Sequence, residues 1–246
     1  FRNLEFVNLF VLFPKGRISE IQRRQMTTEK ASNVSIISID GNFDDCQSIV
    51  KSIFADIEFS RKLSLTGVNS INWVRIMSQV VYYVFAASRF PVGANLNFCV
   101  PTGNFGNIYA GYIAKKLGAN INKLIIATNK NDILHRTLNS GHYSKGKVFR
   151  TSSPSMDIQI SSNFERILYD LCNQDTKKVG EKMSLLQSEG SYKLETEKLT
   201  LLKEIFFSGT VTESETLDEI QQVLTESSFL VCPHTAVGTR VSKSFI

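Results

Sequence analysis

The chain predicts an α/β fold with parallel strands, and three observations carry that prediction. The opening third alternates strand and helix patterns, the order that produces parallel sheets covered by helices. A glycine-containing loop, Thr102-Gly103-Asn104-Phe105-Gly106-Asn107, joins an apolar-alternating run to a helical pattern. The 246 residues are 42% hydrophobic and 21% charged, an ordinary balance for a globular protein able to bury a substantial core.

Taken in order, Val7 to Phe13 is a nearly continuous apolar run ending at Pro14, the pattern of a buried parallel strand. Pro14-Lys15-Gly16-Arg17 is a turn, and Ser19 caps a helix to about Met26. Val34 to Ile39 is a second strand. Asn42 caps the next helix, which places Asp44 and Asp45 in a first turn where the dipole favours them, and which runs to about Ala55. Asn69 or Ser70 caps a long helix whose Val74, Met77, Val81, Val84 and Phe85 recur at three and four, and Trp73 is expected in core or lobe-interface packing. Asn95 to Cys99 is a strand, Ile108 to Gly118 a helix, and Lys123 to Thr128 another strand with a helix from about Ile133. Ser162 and Glu165 have capping-box spacing, with Arg166 in a first turn that disfavours a cation, as though held there for an anion. Residues 173–227 are polar and charge-laced and read as solvated helices, with a second capping box at Thr212 and Glu215. Phe229 to Cys232 reads as a last strand, followed by Pro233-His234-Thr235 and a helix.

The central loop carries the chemistry. Gly103 and Gly106 have no Cβ, so backbone amides there can approach an anion closely. The unpaired first-turn amides of the helix and its positive dipole end point to the same place. The amides of Thr102 and Asn107 and the Thr102 hydroxyl are available to such a cradle; an ordinary βα turn fits the spacing equally well. Asn129, Asn131 and Asp132 follow a strand's carboxyl end, where open α/β sheets gather ligands, although helix capping would account for them too.

Other classes are disfavoured. The longest apolar run, Val80 to Ala87, is too short to cross a bilayer, and no leader pattern opens the chain. Cys46, Cys99, Cys172 and Cys232 form no Cys-x-x-Cys pair, so zinc and dithiol sites are not expected; reduced thiols in a cytoplasm are. The net charge of +5 comes without a Lys/Arg cluster longer than a pair, which argues against nucleic acid and suits a small anionic substrate. The abrupt start at Phe1 and the end at Ile246 read as an interior piece of a longer protein.

The block Thr102 to Asn107 resembles the phosphate loop of threonine synthases, pyridoxal-phosphate enzymes of fold type II. Further blocks resemble that family in its order: Leu12–Ser19, Gly41–Cys46, Asn69–Trp73, Ala127–Leu134, Ser161–Arg166 and Pro233–Gly238. The resemblance implies a tryptophan-synthase-β-like fold of parallel-rich twisted sheets flanked by helices, incomplete at both ends. Residues 1–62 would be the remainder of a smaller lobe and 63–246 a larger cofactor-binding lobe, also incomplete. It implies pyridoxal 5'-phosphate as cofactor and conversion of O-phosphohomoserine and water to threonine and phosphate, by a monomer or homodimer without membrane or nucleic-acid partners. Thr102, Gly103, Asn104, Phe105, Gly106, Asn107 and Thr235 would bind the cofactor, Thr235 through its pyridine nitrogen. Asn69, Ser70, Asn72, Asn131, Asp132 and Arg166 would face the substrate.

Two departures stand out. Cys232 takes a position where many relatives have aspartate, and the family's Phe-Lys-Asp and Ser-Gly-Asp-Thr-Gly motifs are absent from these residues. The cofactor-bearing lysine is therefore expected upstream, and no catalytic residue is assigned within the segment. A phospho-lyase yielding a 2-oxo acid is the alternative within the class. A non-catalytic nucleotide- or phosphate-binding α/β module is the alternative outside it; Asp40 would supply its acid, but Phe13-Pro14-Lys15-Gly16 offers one glycine where a dinucleotide loop wants three.

Overall fold

The structure, a computed structural model, describes residues 1–69 and 71–245. The chain divides into two compact units, Phe1–Thr66 and Gly67–Ile246.

The first unit runs β1 (Leu9–Pro14), α1 (Glu20–Thr27), β2 (Val34–Ile39), α2 (Phe43–Ala55) and α3 (Ile57–Lys62). β1 and β2 pair in parallel, Leu9 opposite Val34 and Pro14 opposite Ile39. Local chemistry sets the helix starts as expected. The Ser19 hydroxyl accepts from the Gln22 amide while the Gln22 side chain accepts from the Ser19 amide. Asn42 accepts from the amides of Asp44 and Asp45, and Asp45 accepts from the Asn42 amide at 2.7 Å. Unlike the buried strand expected, β1 is covered mainly at its end: Phe13 is buried and Phe10 is 62% exposed. α3 has no counterpart in the sequence expectations; Asp56 caps it by accepting from the Phe59 amide at 3.0 Å.

The second unit runs α4 (Trp73–Ala87), β3 (Leu96–Pro101), α5 (Gly106–Lys116), β4 (Ile121–Thr128), α6 (Ile133–Ser140), β5 (His142–Ser144), a 3-10 turn at Pro154–Met156, α7 (Phe164–Leu171), α8 (Thr176–Ser188), β6 (Ser191–Lys193), α9 (Thr196–Ile205), β7 (Phe206–Thr210), α10 (Glu213–Ser227) and α11 (Pro233–Ser242). Its sheet has the order β3-β4-β7, all parallel, and β5 pairs β6 antiparallel. β4 is central and buried from Leu124 to Thr128, as a strand covered on both faces must be.

Four expectations change here. Residues 173–227 are not only solvated helix: they contain β7, whose Phe206 is fully buried, and contribute Leu186, Tyr192 and Leu202 to the core. Phe229 to Cys232 is not a strand; Phe229 and Leu230 are exposed and pair with no strand among the described residues, and α11 begins at once at Pro233, a first-turn position that suits proline. α4 is capped by Asn72 rather than Asn69 or Ser70, and Ser70 lies outside the described residues. Its buried stripe is Ile76, Val80 and Tyr83, so the expected stripe of Val74, Met77, Val81, Val84 and Phe85 faces outward.

Candidate active site

The loop after β3 is fixed by where its carbonyls go. The Ser161 hydroxyl donates to the Gly103 carbonyl at 2.7 Å. The Asn104 carbonyl accepts from the Asn163 amide at 3.0 Å and from its side-chain Nδ2 at 2.9 Å. Those bonds hold the carbonyls against the segment before α7. The amides of Gly103, Phe105, Gly106 and Asn107 make no hydrogen bond to protein among the described residues. Phe105 has φ 65° and ψ −2°, so a left-handed residue leads directly into a right-handed helix. Such an alternation turns successive amides to one concave side and makes an anion-binding nest. The dipole of α5 adds to it.

Two details differ from the sequence reading. The Thr102 amide is not available, because it donates to the Ala127 carbonyl at 2.8 Å as the last rung of the sheet. The Thr102 hydroxyl donates to the Val100 carbonyl at 2.6 Å, leaving only its acceptor capacity. The glycines also act otherwise than expected. Neither Gly103 nor Gly106 has positive φ; a Cβ on Gly103 would lie 2.9 Å from the Ser155 carbonyl oxygen and 3.2 Å from Met156 Cα. Gly103 therefore admits the neighbouring loop, a need that spacing within residues 102–107 does not reveal.

α4 holds the far side of α5. The Tyr83 hydroxyl reaches the Asn107 carbonyl at 2.9 Å and also its side-chain Oδ1. Gly111 makes room for that crossing, since its Cβ would lie 2.7 Å from the Tyr83 ring. The sequence reading did not single out Tyr83; its only signal was a tyrosine in a helix that is apolar around most of its circumference.

Thr235 lies in the first turn of α11 and is exposed. Its Oγ1 is 3.4 Å from Cys232 Sγ. Burial pushes the Cys232 thiol up, but hydrogen bonds from Thr235 and from the amides of Thr235 and His234 outweigh it and hold the thiol below its usual range. His234 Nε2 accepts from the Ser155 amide at 3.2 Å, and burial holds this histidine below its usual range, partly opposed by the Asp157 charge. Gly238 brings α11 onto the end of β3, where its Cβ would lie 3.0 Å from Pro101 Cγ.

The remaining predicted residues are more committed to the protein. Asn69 Oδ1 accepts from the Ile71 amide at 3.1 Å. Asn72 accepts from the Val74 amide and donates to the Gly67 carbonyl. Arg166 donates through Nε to Asn163 Oδ1 at 3.0 Å and through a terminal nitrogen to the Ile71 carbonyl at 2.7 Å, with its guanidinium carbon 5.6 Å from the Trp73 ring centroid. Trp73 itself is 44% exposed, with its ring 6.5 Å from that of Tyr109, so it is not a core residue. The N-cap of α7 is Asn163, so the Ser162–Glu165 capping box does not form; the Ser162 hydroxyl instead donates to Asn104 Oδ1 at 3.2 Å. Asn131 is buried and its amide donates to the Phe149 carbonyl and to Asp157. Asp132 pairs with Arg136 at 2.8 Å. Sequence order brings the loop, Asn163 and Arg166 together only through these long-range bonds.

No protein-family model matches the chain. The threonine synthase of Pseudomonas aeruginosa is 45% identical over 245 residues, 98% of this chain and 52% of the relative. That of Saccharomyces cerevisiae is 44% identical, across 100% of this chain and 51% of its own length. A crystal structure of pyridoxal-phosphate-bound threonine synthase from Brucella melitensis superposes with a TM-score of 0.88 at 49% identity, covering 100% of this chain and 53% of that one. A serine racemase from Dictyostelium discoideum, at 15% identity and a TM-score of 0.57, shares the fold alone, that of the fold type II enzymes. The chain spans about half the length of the relatives it matches. Over nearly all of its own residues it is homologous to the threonine synthases.

Proposed function

We propose that this chain is the part of a pyridoxal-phosphate-dependent threonine synthase that holds the cofactor's phosphate and one side of the substrate, for conversion of O-phosphohomoserine and water to threonine and phosphate. The observation that carries the reading is the amide-lined turn between β3 and α5, its carbonyls pinned away by Ser161 and Asn163, in a chain 45% identical to a threonine synthase. These residues fit the cofactor: the turn offers several amide donors to a dianionic phosphate, and Thr235 offers a neutral hydroxyl to a ring nitrogen. When bound, pyridoxal phosphate supplies an electron sink that eases removal of a proton from the substrate's Cα.

The chain's own residues then bind and orient. The amides of Gly103, Phe105, Gly106 and Asn107 hold phosphate oxygens, and Thr102 and Asn104 frame them. A hydroxyl at Thr235 leaves the ring nitrogen unprotonated, as the resemblance implies. Arg166, which donates to the Ile71 carbonyl, supports the anionic end of the substrate together with Asn69 and Asn72; Ser70, the other residue assigned to the substrate there, lies outside the described residues. Asn131 and Asp132, spent on internal bonds, shape the wall beside it. Residues 1–62 belong to the smaller lobe and 63–246 to the cofactor lobe. The partner is a small anion, the setting cytoplasmic, and the protein a monomer or homodimer; among the described residues no helix is long and apolar enough to cross a membrane.

Incubating the complete protein with pyridoxal phosphate and O-phosphohomoserine tests the reading. Threonine and phosphate in equal amounts are expected. A 2-oxo acid in place of threonine would make it a phospho-lyase, and phosphate binding without a cofactor spectrum would reduce it to a binding module. Thr235→Val should shift the cofactor's absorbance and weaken its binding, whereas Thr235→Ser should keep both.

A further inference from the structure

Asp157 stands outside the loop just described, yet it is the most heavily bonded carboxylate near it. Its Oδ1 accepts from Asn129 Nδ2 at 2.9 Å, Asn131 Nδ2 at 3.0 Å and the Thr151 hydroxyl at 2.7 Å, and its Oδ2 accepts from the Thr151 amide at 2.8 Å. Asn129 and Asn131 are 2% and 3% exposed and follow the end of β4. Asn129 also reaches Ser153 Oγ at 2.8 Å. One carboxylate thus fastens residues 151–157 to the carboxyl end of the central strand through charge-assisted bonds in a water-poor place, where such bonds are strongest.

The outer side of the same segment touches both ends of the proposed cofactor site. Ser155 O and Met156 Cα occupy the space that a Cβ on Gly103 would need. The Ser155 amide donates to His234 Nε2, one residue before Thr235. We propose that Asp157 is a positioning residue: it clamps residues 151–157 as a spacer, and this spacer fixes the separation between the phosphate loop and the Thr235 turn. A ligand gripped at both ends is sensitive to that separation, because a misplacement of one ångström spoils both sets of bonds at once. A ligand gripped at the loop alone is not. The inference rests on the proposed cofactor site for its consequence, and on the hydrogen bonds alone for the clamp.

The test compares wild type, Asp157→Asn and Asp175→Ala in the complete protein. Asparagine keeps the size but faces donors with donors, while Asp175→Ala removes the cap of α8 and serves as a control for loss of stability elsewhere. Without cofactor, exchange of the hydrogen-bonded amides in the two segments, those of Thr102 (residues 101–107) and Ala236 (residues 232–236), should quicken roughly ten-fold in Asp157→Asn, and not in the control. Pyridoxal phosphate should then bind roughly ten-fold more weakly, with inorganic phosphate changed much less. Unchanged exchange in those two segments, or equal losses for both ligands, would overturn the clamp. If exchange responds as expected but wild type binds no pyridoxal phosphate, the clamp stands and the cofactor reading falls. Should Asp157→Asn not fold, His234→Phe cuts only the outer bond and should loosen residues 232–236 and the two-ended ligand alike; failure of both would sink the proposal.

Discussion

Phe105 concentrates the strain of the site in one residue. A non-glycine residue at φ 65° costs about 1 kcal/mol, and here it is a buried phenylalanine, 1% exposed. Packing offsets the cost, since its ring lies 5.4 Å from that of Phe164 and 5.5 Å from that of Phe206. Phe105→Ala should lower unfolding free energy by about 3–4 kcal/mol in a denaturant titration, and Phe105→Gly by somewhat less because glycine removes the strain. Losses below 1 kcal/mol in both would mean that the rings do not hold the turn. Gly103→Val meets a different obstacle, the backbone of Ser155 and Met156, and should weaken cofactor binding by about 2 kcal/mol as amide bonds to the phosphate are displaced. Unchanged affinity by calorimetric titration would remove the loop from the site. The motif itself was legible from two glycines between strand and helix, but its conformation was not. Propensity assigns positive φ to glycine, whereas tertiary packing by Phe164 and Phe206, far along the chain, puts it on Phe105.

At the scale of elements, α10 and α11 are joined by a pair with unequal exposure: the Glu219 carboxylate is fully buried, and Lys243 Nζ bonds its Oε2 at 2.8 Å while its Oε1 finds no partner among the described residues. Lys243→Ala leaves that charge buried and alone, and should destabilise the fold by about 3 kcal/mol. Glu219→Gln in the same background should recover part of the loss; no recovery would show that the lysine acts by packing. The start of α11 is pH-sensitive through His234. Its folded value lies below the usual 6.5, chiefly from burial, so the unfolded chain takes the proton more readily. The resulting stability is present above about 6.5 and is lost as pH falls through the folded value. Melting temperature should fall on acidification more steeply in wild type than in His234→Gln, and parallel curves would disprove the link. Capping signals made both ends of α2 and the start of α10 readable to within a residue. α4 was not oriented correctly because it is apolar around most of its circumference, and periodicity does not choose between stripes 74/77/81 and 76/80/83. β7 was hidden because five residues including Gly209 sit between two polar helices, and only pairing with β4 makes them a strand. Phe229 to Cys232 had the composition of a strand but pairs with no strand among the described residues.

For the molecule as a whole, the 246 residues contain the loop and the Thr235 turn but no Phe-Lys-Asp motif. Two of their lysines near the loop and the strand ends have other engagements: Lys115 donates to the Asn122 carbonyl at 3.0 Å, and Lys130 Nζ sits 4.3 Å from the Phe149 ring centroid. Borohydride reduction of this chain with pyridoxal phosphate should yield no single stoichiometric lysine adduct and no turnover of O-phosphohomoserine; one defined adduct with turnover would identify a relocated base. The order of the family blocks was visible in the sequence. The clasp of residues 161–166 on the loop was not, since it joins side chains some 58 positions apart that no local pattern connects. The outward stripe of α4 has a practical consequence in solution. Met77, Val81, Tyr82 and Phe85 are each more than half exposed on one helix, a patch of the kind that makes a surface adhesive. The chain handled by itself should light up an apolar-surface dye and self-associate as its concentration rises. Placing lysine at both Val81 and Phe85 should quench the dye and keep the chain dispersed while leaving its melting temperature nearly unchanged.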